Sequence, residues 1–415
     1  MGEILPKMDL EQARSLINTH IDQISLDLQT NINKALHDHP ETCYKEFFAH
    51  DTLTTFLSKK GLTVTPKTYG LETSFEASTG QGGRQVVFCA EYDALPDIGH
   101  ACGHNLIATS SIAAFLAAAH VLHTLNIPRR LRLLGTPAEE GGLGKQFLID
   151  AGAFDPPEDI AAAIMAHPAS QKMIPSHSGV EYSGIAGPKT SASHKFKVEF
   201  RGRTAHAAAE PWNGINSLDA AVSAYNSAAM LRQQIRPDER IHAVIEVGGT
   251  VQNVITSYSR MSWNVRSPSL KRADELLERV RRCIDGGAAA TGCTVTYLPT
   301  LTSADLRVNE ALCRAYVEDM GRLGRKVVET YGEPSGGSTD MGNVSHYVPS
   351  FHGMFSVTKE PDVVIHNPGF TACAATDEAH AETMRCAKGM AMLAIRVLVD
   401  DVLADKARED FKRCE

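Results

Sequence analysis

Residues 12–60 place Leu, Ile and Phe at spacings of three and four with charges between them, a pattern that predicts helices. From residue 85 the period changes. "QVVFCA" (85–90), "LRLLG" (131–135) and "AAAIMA" (161–166) are short, nearly continuous apolar runs, as expected of strands covered on both faces in a parallel sheet. Between the first two lies a predicted helix from about Asn105 to Leu122, with Ile112, Phe115, Leu116, Ala119 and Leu122 on one apolar face. This alternation predicts an α/β domain with a mostly parallel sheet and helices on both faces. Ligands of such sheets bind beyond the carboxyl ends of the strands.

Near residue 190 the text becomes strictly alternating. In "HKFKVEF", Phe196, Val198 and Phe200 share one face while Lys195, Lys197 and Glu199 share the other, the signature of a strand with one wet face. A helix from Ile215 to Gln234, the strands "HAVIEVGG" and "SRMSWNVR", a charged helix from 270 to 290 and the strand "CTVTYL" complete a β-α-β-β-α-β order. We read residues 190–301 as an inserted α+β, ferredoxin-like domain, and 1–189 with 302–415 as the larger domain around it. Helical and α/β text resumes after it, from "NEALCRAYVEDMGRL" to an alanine-rich helix after Asp377.

Composition narrows the class. A chain of 415 residues with 43% hydrophobic and 22% charged residues is an ordinary globular one, long enough for two cores. The net charge of -8 is dispersed, which argues against nucleic acid as a partner. Nine cysteines, an odd number without a Cys-x-x-Cys pair, fit reduced thiols better than a disulfide framework. No signal-peptide pattern opens the chain, and "IATSSIAAFLAAAHVL" reads as a buried helix rather than a membrane span. The expected compartment is the cytoplasm.

The strand ends carry the chemistry. Asp93 in "EYDALPD", Glu139 and Glu140 in "TPAEEGG", and His167 in "AHP" each follow an apolar run; Cys102 and His104 occupy "GHACGHN", and His366 stands in "VVIHNPG". Thiolate, imidazole and carboxylate suit zinc, and mixed sets also suit manganese or cobalt. Two ions about 3.5 Å apart, activating a water, are within reach of such a set. The two-residue spacing of Cys102 and His104 favours chelation, whereas His100 reads as structural or as support. Of the adjacent glutamates, one should bind metal and the other act as a free base. A Cys102/His104 nucleophile pair is a rival reading that leaves the glutamates, His167 and His366 unused. Gly-x-Ser-x-Gly, His-Glu-x-x-His and phosphate-loop signatures are absent, "GGLGKQ" being a poor approximation to the last. In the inserted segment His206 and Asn253 are candidates for oxyanion stabilisation, and Arg266 for gripping a carboxylate.

The ordered set "EYDALPDIGHACGHN", "GTPAEEGG", "AHP", "GRTAHAAAEPWNGINSLDA", "NVITSYS" and "GGSTDMGNVS" resembles the dinuclear metallopeptidases of aminoacylase, carboxypeptidase G and hippurate hydrolase type, peptidase family M20. It looks most like the branch holding aminobenzoyl-glutamate hydrolase and the β-alanyl-lysine (Xaa-Arg) dipeptidase. The resemblance implies Cys102, His104, Glu140, His167 and His366 as ligands of two divalent ions (Zn or Mn, with Co as an alternative), Glu139 as general base, and Asp93 behind a ligand. It implies an inserted lid and dimerisation domain whose His206 and Asn253 reach the partner subunit's site, with Arg266 on the substrate carboxylate and Gly336 and Gly337 lining its pocket. The implied activity is hydrolysis of a dipeptide or N-acyl amino acid by a homodimer. The same residues also suit amide formation, or a regulatory protein that only binds metal. The sequence departs from many relatives at Asn105, where they have Asp, and at Glu91, where they have His.

Overall fold

The computed structural model describes residues 8–177, 179–299, 301–331, 337–360 and 362–413. The three apolar runs become neighbouring strands because none has a polar face to offer water. The larger sheet has eight strands in the order Thr63–Pro66, Phe75–Gly80, Arg130–Gly135, Gln85–Ala90, Ile160–Ser170, Ser350–Thr358, Gly184–Gly187 and Val327–Thr330. The middle four run parallel. The Gln85–Ala90 strand lies between the two strands that follow it in sequence, so the connections diverge there and open a crevice at the carboxyl ends.

The crossover helix is His104–Thr124. Its apolar face is broader than the single stripe expected from the sequence: every residue from His104 to Ala119 is buried. The sheet lies on one side, and Leu10–Leu28 and Asp377–Val399 pack on the others. Burial all round explains why this helix is long and apolar enough to cross a membrane by composition, although 89% of its apolar window is inside the fold.

The chain divides into two compact units, Met1–Lys189 with Leu306–Glu333 and Asn343–Glu415, and Thr190–Asp305 with Pro334–Gly342. In the second unit an antiparallel sheet is ordered Arg240–Val247, Tyr258–Ser267, Ala192–Arg201 and Thr294–Tyr297, with Leu301–Ser303 also paired to Ala192–Arg201. Helices Ser217–Leu231 and Leu270–Thr291 cover it and each other. Leu276, Leu277, Val280 and Ile284 meet Phe196, Val198, Phe200 and Trp263 in its core. Gly287 admits the other helix, since a Cβ there would sit 2.7 Å from the Ala220 carbonyl oxygen. The unit is wider than the sequence pattern suggests. Leu301–Ser303 extends it past residue 301, and Gly337, accepting the Ser191 N–H, binds 337–342 to it at 2.8 Å.

Candidate metal centre

Each strand end delivers its acid at the crevice. Past Ala90 the chain places Glu91 and Asp93, both buried. It then turns through Gly103, whose φ of +80° lies in the left-handed region. A Cβ on Gly103 would stand 2.7 Å from the Pro168 side chain, so only glycine lets the Cys102–His104 turn press against the His167 strand. His167 lies inside the Ile160–Ser170 strand rather than just past its end, because pairing with Ser350–Thr358 carries the strand further than its apolar run. His104 is the first residue of the crossover helix. His366 has a positive φ of 63° and donates its N–H to the Ala101 carbonyl at 2.8 Å, which ties it to the same turn.

These seven residues come together. Cys102, His104 and His167 offer donor atoms within 4.8 Å of one another, as do Cys102, Glu140 and His366, and His104, Glu139 and Glu140. The Cys102 Sγ is 3.3 Å from His167 Nε2, and His366 Nε2 is 3.1 Å from Glu140 Oε1. His167 Nδ1 lies 2.7 Å from the Pro168 carbonyl, which can only accept, so the ring carries its proton there and Nε2 keeps its lone pair. Asp93 likewise fixes a proton on His104 Nδ1, with Oδ1 3.0 Å away, while its Oδ2 accepts the Glu140 N–H at 2.9 Å. One carboxylate thus orients two neighbours.

The charges explain the protonation. Burial disfavours a charge on His104, but Cys102 and Asp93 beside it outweigh burial and hold its pKa well above the usual imidazole range. Glu140 is drawn down to about 2 because His366 and His104 overcome the cost of its burial. Burial pushes the Cys102 thiol up, which opposes the nucleophile reading, since a reactive thiol needs a depressed pKa. Acids crowded here pull protons onto imidazoles, and a dication would satisfy the same demand. Buried His104 Nε2 and Glu91 Oε2 lack hydrogen-bond partners and stand 3.5 Å apart, with Glu139 Oε2 3.9 Å from the same nitrogen. This donor set fits divalent metal.

Most of the other predicted residues belong to the second unit. His206 and Asn253 are exposed in the second unit, where Ala207 N–H reaches the Asn253 carbonyl at 3.0 Å. Arg266 is half-buried within the Tyr258–Ser267 strand. Eight strand steps, about 27 Å, separate it from Tyr258, at the end of the sheet where His206 lies. Gly337 is exposed in that unit, and Gly336 falls outside the described residues. His100 is buried and belongs to none of the donor groups. Its Nε2 meets the Leu36 carbonyl at 3.1 Å, and burial lowers its pKa to about 3, so it is a neutral structural histidine.

Sequence reasoning missed a buried ion pair. Lys145 and Glu91, both 0% exposed, meet through Nζ and Oε1. The signal was present: a lysine within a small-residue turn, "GGLGKQ", needs a buried acid, and Glu91 ends an apolar strand.

Comparison with known proteins gives the family. The model of "Peptidase family M20/M25/M40" matches residues 87–390. The chain is 38% identical over 397 residues to the Xaa-Arg dipeptidase of Mus musculus, covering 92% of this chain and 88% of the relative. It is 31% identical over 310 residues to a p-aminobenzoyl-glutamate hydrolase polypeptide of Escherichia coli (strain K12), covering 68% of this chain and 62% of that one. A dinuclear metal-binding M20 peptidase from Bacillus subtilis shares the fold with a TM-score of 0.65 at 21% identity, over 91% of this chain and 99% of that structure. From the family model, which spans every strand-end donor from Asp93 to His366, and from the dipeptidase aligned along nearly the whole chain, it follows that this chain belongs to peptidase family M20/M25/M40.

Proposed function

We propose that this protein hydrolyses the amide bond of a dipeptide or N-acyl amino acid bearing a free carboxylate. Cys102, His104, Glu140, His167 and His366 would hold two divalent ions. The observation that carries this reading is the sharing of donors. Cys102 belongs to two of the three donor groups and His104 and Glu140 each to two, so adjacent ion positions meet around common atoms. The thiolate favours zinc, with manganese or cobalt as alternatives. Bound ions would polarise the amide carbonyl and acidify a water.

The chain's own groups do the rest. Glu139, 12% exposed at the edge of the set, takes the water's proton and passes it to the leaving nitrogen. Asp93 holds His104 in the tautomer that leaves Nε2 open. Arg266 grips the substrate carboxylate, Gly337 lines its pocket through its backbone, and His206 and Asn253 meet the charge that develops on the carbonyl oxygen. The second unit acts as lid and dimerisation domain. Two features support a homodimer. His206 and Arg266 stand at opposite ends of one sheet, so serving one substrate calls for two copies. The edge strand Arg240–Val247 also exposes Val244 by 61% and Ile245 by 41%. The relatives named as Xaa-Arg dipeptidase point to dipeptides with a basic C-terminal residue. The cytoplasm is the proposed compartment, in keeping with free thiols at all the described cysteines.

The test is Glu139→Ala on a panel of dipeptides and N-acyl amino acids with added Zn, Mn or Co. The variant should fold and bind metal, yet lose at least about 100-fold in kcat. Substantial residual turnover removes Glu139 from the role.

A further inference from the structure

The turn carrying Glu139 and Glu140 closes on itself through the Gly142 N–H to the Ala138 carbonyl at 3.0 Å, but over a strained backbone. Ala138 and Leu143 have φ of 63° and 53°, left-handed values that side chains rarely adopt, and Gly141 lies at 156°. A segment far away in sequence grips this turn. Glu46 Oε1 accepts the Ala138 N–H at 3.0 Å and the Tyr44 N–H at 2.9 Å, while Oε2 accepts the Thr73 hydroxyl at 2.8 Å. The Tyr44 hydroxyl donates to the Gly142 carbonyl at 2.8 Å. The fit is close, since a Cβ at Gly142 would lie 2.5 Å from the Tyr44 ring and 2.7 Å from Cys43 Sγ.

The gripping segment is itself anchored. Glu41 accepts the N–H groups of Phe48 and Ala49 at 3.0 Å each, and its carbonyl accepts the Ala94 N–H at 2.7 Å, next to Asp93. Glu46 is fully buried and makes no capping bond to the helix Phe47–Lys59 that it precedes. A buried carboxylate is costly unless its donors recompense it, and here they come from three separate segments.

We propose that Glu46, seconded by Tyr44, is a positioning residue that clamps the Ala138–Leu143 turn and so fixes Glu139 and Glu140 against the ligand set. This rests on the roles given to those glutamates above. Removing the clamp lets the turn relax, which displaces the base and one ligand together.

The experiment compares Glu46→Gln, Glu46→Leu, Tyr44→Phe and Glu139→Gln in the zinc-loaded enzyme, reading kcat, KM and zinc affinity by chelator competition. Glutamine keeps an acceptor for Ala138 and Tyr44, and the Thr73 hydroxyl can turn to accept from its amide. Its kcat should stay within about threefold of wild type, whereas Glu46→Leu should lose about ten- to hundredfold in kcat with KM little changed. Zinc affinity should fall about tenfold in Glu46→Leu, because Glu140 shares the turn. Tyr44→Phe should move kcat the same way by about fivefold, and it decides the matter if Glu46→Leu does not fold. Wild-type kcat in Glu46→Leu or Tyr44→Phe overturns the proposal, and so does Glu46→Gln as impaired as Glu46→Leu. An active Glu139→Gln would instead refute the role of Glu139, and an inactive one beside unaffected clamp variants refutes the clamp alone.

Discussion

Asp93→Asn isolates the one carboxylate that orients two neighbours. Asp93 is 1% exposed and accepts the His104 Nδ1–H at 3.0 Å and the Glu140 N–H at 2.9 Å. An amide offers a single oxygen, so one bond must go. If the oxygen stays with Glu140, the new NH2 faces His104 Nδ1 and drives the ring proton to Nε2, the atom that looks into the donor set. If the oxygen stays with His104, the amide NH2 opposes the Glu140 N–H and pushes that ligand away. Either loss of an outer partner costs about 10–100-fold in metal affinity, or about 1.4–2.8 kcal/mol. Zinc competition against a chromophoric chelator reads the affinity, with circular dichroism confirming the fold. Native dichroism with zinc affinity within about twofold of wild type would refute the view that Asp93 sets the His104 tautomer.

Three further outcomes follow from particular contacts. Lys145→Met removes the cation that meets Glu91 Oε1 at full burial, leaving only His104 at 3.5 Å from the other oxygen, and should destabilise the protein by about 3–5 kcal/mol in denaturant unfolding; a loss below about 1 kcal/mol would contradict the buried pair. Burial, with Asp93 nearby, raises Glu46 from 4.5 to about 7, so the folded state holds its proton longer than the unfolded one and stability falls as pH rises from 4.5 to 7. Glu46→Gln should therefore gain on wild type, on the order of 3 kcal/mol, between pH 4.5 and 8, and a pH-independent difference would count against it. Val244→Lys places a charge on the exposed edge strand and should yield a monomer with little turnover by light scattering and assay, whereas an active monomer would exclude action of His206 across subunits.

The central strands and the donor set were legible because both are chemically extreme. Continuous apolar runs have few alternatives to a sheet covered on both faces, and acids, imidazoles and a thiol just past such runs have few reasons to be there. The flanking strands Thr63–Pro66, Phe75–Gly80, Gly184–Gly187 and Val327–Thr330 were not foreseen, being short and lacking a clear period. Leu301–Ser303 is too short for alternation to show, so the boundary fell early at residue 301. Glu46 stayed hidden for another reason. Its partners are backbone N–H groups at 44 and 138 and a hydroxyl at 73, and a backbone donor leaves no mark on residue identity. The environment of Arg266 was likewise invisible, since the register that places it opposite Arg240 and Ser193 comes from pairing between distant strands.

The most direct test of the account is metal content and turnover measured on one preparation. The chain is equilibrated with zinc, freed of excess by gel filtration, analysed for zinc per chain, and assayed on a dipeptide with a basic C-terminal residue before and after chelation. Two ions per chain are expected, with loss of hydrolysis as they are removed and recovery when they return. A chelated, metal-free chain that hydrolyses the dipeptide at the full rate would contradict it.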